Sequence, residues 1–231
     1  MLHPRNQSTN RYHLFQQLFP DFTQDNTLLD FGGNRGNLLY FSEGDIKINN
    51  YTSIDVSNQS ILQGTSEFPD ARFIYYDRWN SMYNHQGEKS LNFPSVDKKQ
   101  DYIFSFSVFT HTDLEEFKKT LDWFDTFNYK HMAHSLLDIR CELTVKWFYN
   151  KRVNDYGKCV DIISVANDPS VYMFYLFDND KLVVNEEVAP TVDSNHFITF
   201  YDLDFLKENL GYSFDIQKPT PDLHPFVVSS K

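Results

Sequence analysis

Residues 26–41 read NTLLDFGGNRGNLLYF, and this stretch decides the fold. An apolar run, Leu28–Leu29, leads to Asp30 and then to glycines at 32, 33 and 36, after which a second apolar run begins. The first run is strand-length and the second has helical spacing, so the glycines mark a tight strand-to-helix turn. In an open parallel sheet such a turn lies where ligands bind, beyond the carboxyl ends of the strands. The phosphate-gripping fingerprint G-x-G-x-x-G, begun at Gly32, needs glycines where the chain has Asn34 and Asn37. A Walker A loop fails as well, because no Gly-Lys-Ser/Thr follows. Asp30 also sets a negative charge beside the turn, which disfavours a pyrophosphate and favours a ligand that carries an ammonium group. Asn34 is suited to left-handed backbone, and Gly33 eases the reversal.

Working outward, the chain alternates. A helical face over 12–19 closes at Pro20, and TLLDF (27–31) is the first strand. GNLLYFSE (36–43) reads as a helix, YTSIDVS (51–57) as a strand, SILQGTSEFP (60–69) as a weak helix and ARFIYYD (71–77) as a third strand. Residues 78–100, rich in Asn, Gly, Ser and Pro, are expected to form a long loop before the buried strand DYIFSFSVF (101–109). DLEEFKKTLDWF (113–124) is the clearest helix, with Asp113 as cap, Glu116 at the capping-box position and Phe117, Leu121 and Phe124 in one stripe. HMAHSLLDI (131–139) is the fifth strand. Single helices between strands indicate an α/β, doubly wound, mostly parallel sheet. From 140 to 200 the rhythm changes to a helix over 142–152 and extended segments CVDIISVA, VYMFYLF and KLVVNEEV. A helix over 201–212 and two strands around Pro219 and Pro221 close the chain. The expectation is one domain over 1–231, with 140–200 an insertion within it.

The 231 residues carry 21 basic and 32 acidic side chains, a net charge of −11, which argues against a nucleic-acid partner. Two cysteines, Cys141 and Cys159, make neither a CxxC pair nor a disulfide framework. No apolar run reaches membrane-spanning length and the first residues do not resemble a signal peptide, so a cytoplasmic location is the default expectation, with no membrane partner. No histidine or cysteine has metal-ligand spacing; His131 and His134, on a strand, point to opposite faces.

Three carboxylates lie at or near the ends of successive strands: Asp30, Asp55 and Asp77. Asp55 can take both hydroxyls of a ribose, and Asp77 can accept from an exocyclic amine with Trp79 or Tyr76 against the base. Amino acid, ribose and adenine in that order describe S-adenosyl-L-methionine. These segments resemble the class I S-adenosylmethionine-dependent methyltransferases of the small-molecule type over roughly 12–231. LLDFGGNRG is similar to the family's first motif, with Asn34 where the middle glycine is usual. YTSIDVS is similar to the second and FIYYDRW to the third, while YDRWNSMYNHQG resembles a loop ending in Tyr-Asn-x-x-Gly. DYIFSFSVFTHTD resembles the fourth motif and the Ser-Val-Phe-x-His run after it. The glycine pair usual before the fifth strand is missing from FNYKHMAHS.

The resemblance implies a seven-stranded Rossmann-like sheet whose last strand, HPFVVSS, runs antiparallel, with the insertion over 140–200 between strands five and six covering the substrate. It also implies a cofactor held by Asp30, Gly32, Gly33, Asn34, Gly36, Asp55, Asp77, Trp79, Phe106 and Ser107, with His111 at the substrate mouth. His111 is the candidate general base, because an imidazole titrates near neutrality. His134 reads as a structural residue at the edge of the pocket, and His85 and His196 as loop residues that could reach a substrate. The insertion's rings, among them Trp147, Phe148, Tyr149, Tyr156, Tyr172, Phe174, Tyr175 and Phe177, suit a compact, largely apolar acceptor, and Arg140 or Arg152 could pair with a carboxylate on it. Methyl transfer to a small metabolite or natural-product precursor is thus the expected reaction. The alternatives are a methyltransferase-like subunit that binds without catalysing, another S-adenosylmethionine-using reaction such as cyclisation, and an NAD-dependent oxidoreductase. Glycine spacing and Asp30 oppose the last.

Overall fold

The computed structural model describes residues 9–80, 83–97, 99–146, 161–164, 170–175, 196–209, 215–217 and 226–230. Strands β1 (Leu28–Phe31), β2 (Tyr51–Asp55), β3 (Arg72–Tyr75), β4 (Tyr102–Ser105) and β5 (His131–Ser135) are mutually parallel and stand in the order β3-β2-β1-β4-β5. The sheet continues through β10 (Phe226–Ser230), antiparallel to β5, to β9 (Asp215–Gln217). This is the mostly parallel seven-stranded sheet with an antiparallel last strand that the sequence implies. Three further strands, β6 (Asp161–Ser164), β7 (Ser170–Tyr175) and β8 (His196–Tyr201), form a separate antiparallel sheet inside the insertion.

Parity along the strands puts helices on both faces. Leu28, Tyr51, Tyr102, Phe104 and Ala133 point to a core completed by helix α1 (Thr9–Leu18) and the short α2 (Asn37–Phe41). Leu29, Ile54, Ile103 and Met132 point the other way, to helix α4 (Leu114–Phe124), which buries Phe117, Leu121 and Phe124. Asp113 caps α4 by accepting the Glu116 N–H at 2.7 Å, a bond that stabilises a helix by about 1 kcal/mol. Helix α3 (Asn58–Glu67) is capped in the same way by Ser57, and α5 (Leu203–Asn209) follows β8.

Several boundaries differ from the sequence reading. The strand expected over 101–109 stops at Ser105, the last residue paired with β5, and the chain turns through Ser107 into a 3-10 turn, Phe109–His111. The helix expected from Gly36 starts at Asn37, since Gly36 itself is left-handed at φ 77°. The fifth strand ends at Ser135 rather than 139. Tyr201 closes a strand, β8, instead of opening a helix, and His196 begins that strand rather than lying in a loop. The helix expected over 142–152 is helical over 142–146, while its remainder and KLVVNEEV lie outside the described residues.

Candidate functional site

The glycine turn lies where β1 passes into α2. Gly32, Asn34 and Gly36 all take positive φ, 77°, 55° and 77°, which reverses the chain within five residues. The Gly32 N–H donates to the Ile54 carbonyl at 2.7 Å, tying the turn to β2. A Cβ on Gly33 would stand 2.5 Å from Ser53 Oγ and 2.8 Å from the Asp30 carboxylate, so the bare backbone is what lets the turn lie over Asp30. A Cβ on Gly32 would meet Val108 at 2.1 Å. The turn after β1 thus lies close against the corner after β4 at the point where strand order reverses, the crevice in which open α/β sheets bind ligands.

Parity brings Asp30 and Asp55 to the same side of the sheet as α1. Asp30 is buried, accepts the Tyr51 hydroxyl at 2.5 Å, and is pushed up to about 7 by burial, with Tyr51 and the nearby Arg11 guanidinium opposing the rise. Asp55 accepts the Asn34 N–H on Oδ2 and the Ser57 N–H on Oδ1, each at 2.8 Å. Burial raises it too, against those donors and Arg11. Asp77 stands past the end of β3, where its Oδ1 accepts from the Tyr75 hydroxyl at 2.5 Å and the Asn84 amide at 3.0 Å; both bonds hold its carboxyl below the usual range.

The opposite wall is the corner after β4. Phe106 lies under the Arg11 guanidinium, 4.3 Å from ring centroid to Cζ. Ser107 is left-handed at φ 59°, a strained position for a serine, and is held there by its N–H donating to Ser135 Oγ at 2.6 Å. His111 follows, buried at 9% exposure, with the Tyr83 ring edge-on at 5.4 Å. The insertion is fastened to this corner. Tyr201, fully buried, donates its hydroxyl to the Thr112 carbonyl at 2.9 Å, with the Phe109 carbonyl at 3.1 Å, and Thr199 Oγ1 donates to Thr112 O at 2.6 Å.

The Tyr-Asn-x-x-Gly tail has a structural reason. The Asn84 amide reaches Asp77 Oδ1, the Arg78 carbonyl at 3.2 Å and Tyr75 Oη at 3.2 Å, while a Cβ on Gly87 would strike the backbone of Arg78 and Trp79 at 2.6 Å. The excursion over 77–88 is thereby closed on itself. A largely buried Arg78–Glu116 ion pair fastens it to α4, and the Asn80 amide donates to the His111 carbonyl at 3.3 Å. Glu116, expected to complete a capping box, is taken by Arg78. Trp79 has the Lys89 ammonium over its ring at 4.8 Å.

Other candidates fall away from the crevice. Tyr76 is buried and stacks on Phe93 at 5.7 Å, a core role that removes it from any base site. Arg140 is bound by Asp202 at 2.6 Å and by Asp204, so its charge is spent within the fold rather than offered to a substrate. His134 is buried between Phe109 and Phe117, and burial alone holds it down to about 3. His131 packs on the other face, against Phe19 and Tyr102. Among the described residues no three His, Cys, Asp or Glu side chains converge as metal ligands, and no helix is long and apolar enough to cross a membrane. Of the insertion's rings, Tyr172, Phe174 and Tyr175 lie on β7, while Trp147, Phe148, Tyr149, Tyr156 and Phe177 lie outside the described residues, as does Arg152.

No protein-family model matches the chain, and no curated protein matches it in sequence. Solved structures do match. The PH0226 protein of Pyrococcus horikoshii OT3 superposes with a TM-score of 0.58 at 14% identity, covering 98% of this chain and 89% of that one. An S-adenosylmethionine-dependent methyltransferase of Clostridium acetobutylicum ATCC 824 gives 0.53 at 15%, covering 97% and 91%. The magnesium protoporphyrin IX methyltransferase of Synechocystis PCC 6803, solved with S-adenosylhomocysteine bound, gives 0.52 at 11%, covering 97% and 82%. The fold is that of a class I methyltransferase. Within it, sequence reasoning missed Arg11, whose signal was its spacing: four residues before Phe15, it shares the helix face that Phe15 packs against Phe104. Tyr83 was also missed, since an exposed tyrosine in a loop carries no periodic signal.

Proposed function

We propose that the protein transfers a methyl group from S-adenosyl-L-methionine to a small, partly apolar metabolite or natural-product precursor. The observation that carries this reading is the cradle itself: a glycine turn lying over one carboxylate, Asp30, and donating a backbone N–H to a second, Asp55. A dinucleotide site would need its turn to receive pyrophosphate, and a buried carboxylate directly beneath Gly33 opposes that charge. The residues fit the sulfonium cofactor instead, with Asp30 toward the ammonium, Asp55 toward the ribose, Asp77 and Trp79 toward adenine, and Phe106 and Ser107 beside the sulfur. When bound, that cofactor supplies an electrophilic methyl. The chain's own work is to align an acceptor, exclude water and take a proton where the acceptor carries one. His111 occupies the corner suited to the last task, and the insertion over 140–200 covers the acceptor in this reading.

Calorimetry with S-adenosylhomocysteine and with NAD separates this reading from a hydride-transferring one. Micromolar binding of the first and none of the second is the expected result. NAD binding without S-adenosylhomocysteine binding would overturn it.

A further inference from the structure

Tyr83 is a large side chain that the fold holds in place without burying. Its ring is 52% exposed and stands perpendicular to the His111 imidazole, at 89° with 5.4 Å between centroids. A single exposed tyrosine needs no explanation, but one fixed against a candidate site residue does. The Tyr83 N–H donates to Asn80 Oδ1 at 3.1 Å, and the Asn80 amide donates in turn to the His111 carbonyl at 3.3 Å. Asn80 and Asn84 also exchange two backbone bonds, at 2.9 and 3.1 Å, and the Asn84 amide is anchored on Asp77 and the Arg78 carbonyl. The backbone that carries the ring is therefore bonded on either side of Tyr83 and to the corner that carries His111.

A ring left half in water contributes little to folding, so packing does not account for this bracing. What bracing does supply is preorganisation: a ligand that lies on the ring has no loop to order as it binds. An aromatic face favours another flat ring in an offset stack, and gives a chain-like aliphatic group contact area alone. A flat ligand stacked on Tyr83 lies parallel to it and hence upright to the imidazole, so its rim rather than its face is turned to His111. The hydroxyl and amine groups of a ring lie at its rim, where a proton would be taken.

We propose that Tyr83 is an acceptor-binding residue, a stacking platform that makes the site select a flat, ring-bearing acceptor with its hydroxyl or amine at the rim. This rests on the methyltransferase reading above. The test titrates β-naphthol and decahydro-β-naphthol, which share a carbon frame and a hydroxyl but not flatness, into protein saturated with S-adenosylhomocysteine. The parent, Tyr83→Phe and Tyr83→Leu are compared, each with its thermal melt. The parent is expected to prefer β-naphthol by about three- to tenfold, the range of an aromatic pair. Tyr83→Phe should keep that preference, and Tyr83→Leu should bring the two Kd values within about twofold. In the parent, β-naphthol should also shift the His111 ring-proton resonance, assigned by its loss in His111→Asn. That shift keeps the test decisive should Tyr83→Leu melt early. A parent that binds S-adenosylhomocysteine but shows no preference, or binds neither probe, would overturn the inference. So would a preference that survives Tyr83→Leu, or bound β-naphthol that leaves the His111 resonance unmoved. Equal loss in Tyr83→Phe and Tyr83→Leu would overturn it as well, and would assign the role to the hydroxyl instead of the ring. A parent that does not bind S-adenosylhomocysteine would instead overturn the methyltransferase reading on which the inference rests.

Discussion

The backbone N–H of Asn34 donates to Asp55 Oδ2 at 2.8 Å, so the turn after β1 is hydrogen-bonded to the carboxylate that ends β2. This bond requires Asn34 to hold φ 55°, and the Asn34 side chain supports the conformation by accepting the Arg35 N–H on Oδ1 at 2.8 Å. The departure from a middle glycine is thus compensated locally, because asparagine is the side chain that best tolerates left-handed backbone.

Replacement at Asn34 therefore separates conformation from side chain. Asn34→Ala keeps a Cβ without the supporting acceptor and should destabilise by about 1 kcal/mol, a fall of roughly 2–4 °C in Tm for a chain of this size. S-adenosylhomocysteine binding should weaken with it. Asn34→Gly relieves the strain and should leave binding near the parent value. Calorimetry and thermal melting on the pair check this; equal behaviour of the two variants would remove the conformational argument.

Asp30 predicts a proton linkage. Its carboxyl, raised to about 7 by burial, is largely neutral at pH 6 and ionised at pH 8. A ligand ammonium favours the ionised form, so binding should expel a proton and tighten as pH rises, by about tenfold between pH 6 and 8 if only the carboxylate binds. In the ligand-free protein the sign is opposite. The folded state holds this proton more tightly than the unfolded chain, so the stability it contributes is complete below 3.8 and is lost as pH rises through about 7. Titrations at pH 6, 7 and 8 in buffers of different ionisation enthalpy measure the proton. Asp30→Asn should bind weakly with a flat pH dependence, and a flat profile in the parent would refute the linkage.

Much of this site was legible because parity and turn chemistry are local. Asp30 and Asp55 follow from aspartates at or near the ends of their strands, and the left-handed Asn34 follows from its neighbours. What escaped depends on contacts distant in sequence. Ser107 turns out of β4 held by the bond its N–H donates to Ser135 Oγ, and no pattern within 101–109 announces that. Tyr76 looks identical to a base-stacking residue until Phe93 is seen to cover it. β8 alternates as a strand should, yet its pairing is to β7 and its end is bonded to residues 137–139, so its boundary with α5 could not be placed locally. Arg140 was legible as a cation and illegible as a neutralised one, since Asp202 and Asp204 lie more than sixty residues away.

Burial of His134 predicts a contribution to the acid limb of stability. Burial holds its ring down to about 3 against 6.5 when exposed, so the unfolded chain binds the proton that the folded state refuses. Its full contribution is present above 6.5 and is lost as pH falls toward 3, by at most about 5 kcal/mol. His134→Leu should make stability less dependent on pH across that window while lowering it modestly near neutrality through imperfect packing against Phe109 and Phe117. Denaturant midpoints at pH 4, 5, 6 and 7 give the slope for each protein. Parallel slopes would mean that another group controls the acid limb.

In the proposed mechanism the proton step falls to His111. Two segments converge on its corner: the excursion over 77–88, with Asn80 on its carbonyl and Tyr83 against its ring, and β8, with Tyr201 and Thr199 on the carbonyl of Thr112 beside it. Such bracing fixes the imidazole's place without needing the imidazole, so a variant at 111 can be expected to fold. If His111 takes the acceptor's proton, His111→Asn should lower turnover by about 10²–10⁴-fold, leave S-adenosylhomocysteine binding unchanged, and remove an ascending limb from the pH–rate profile. Thr199→Val tests the brace separately, because it deletes the 2.6 Å bond to Thr112 while leaving every group that could move a proton. It should lower turnover less and keep the pH profile's shape. Should His111→Asn lose less than about tenfold with its pH profile intact, His111 orients the acceptor and the transfer proceeds by alignment alone.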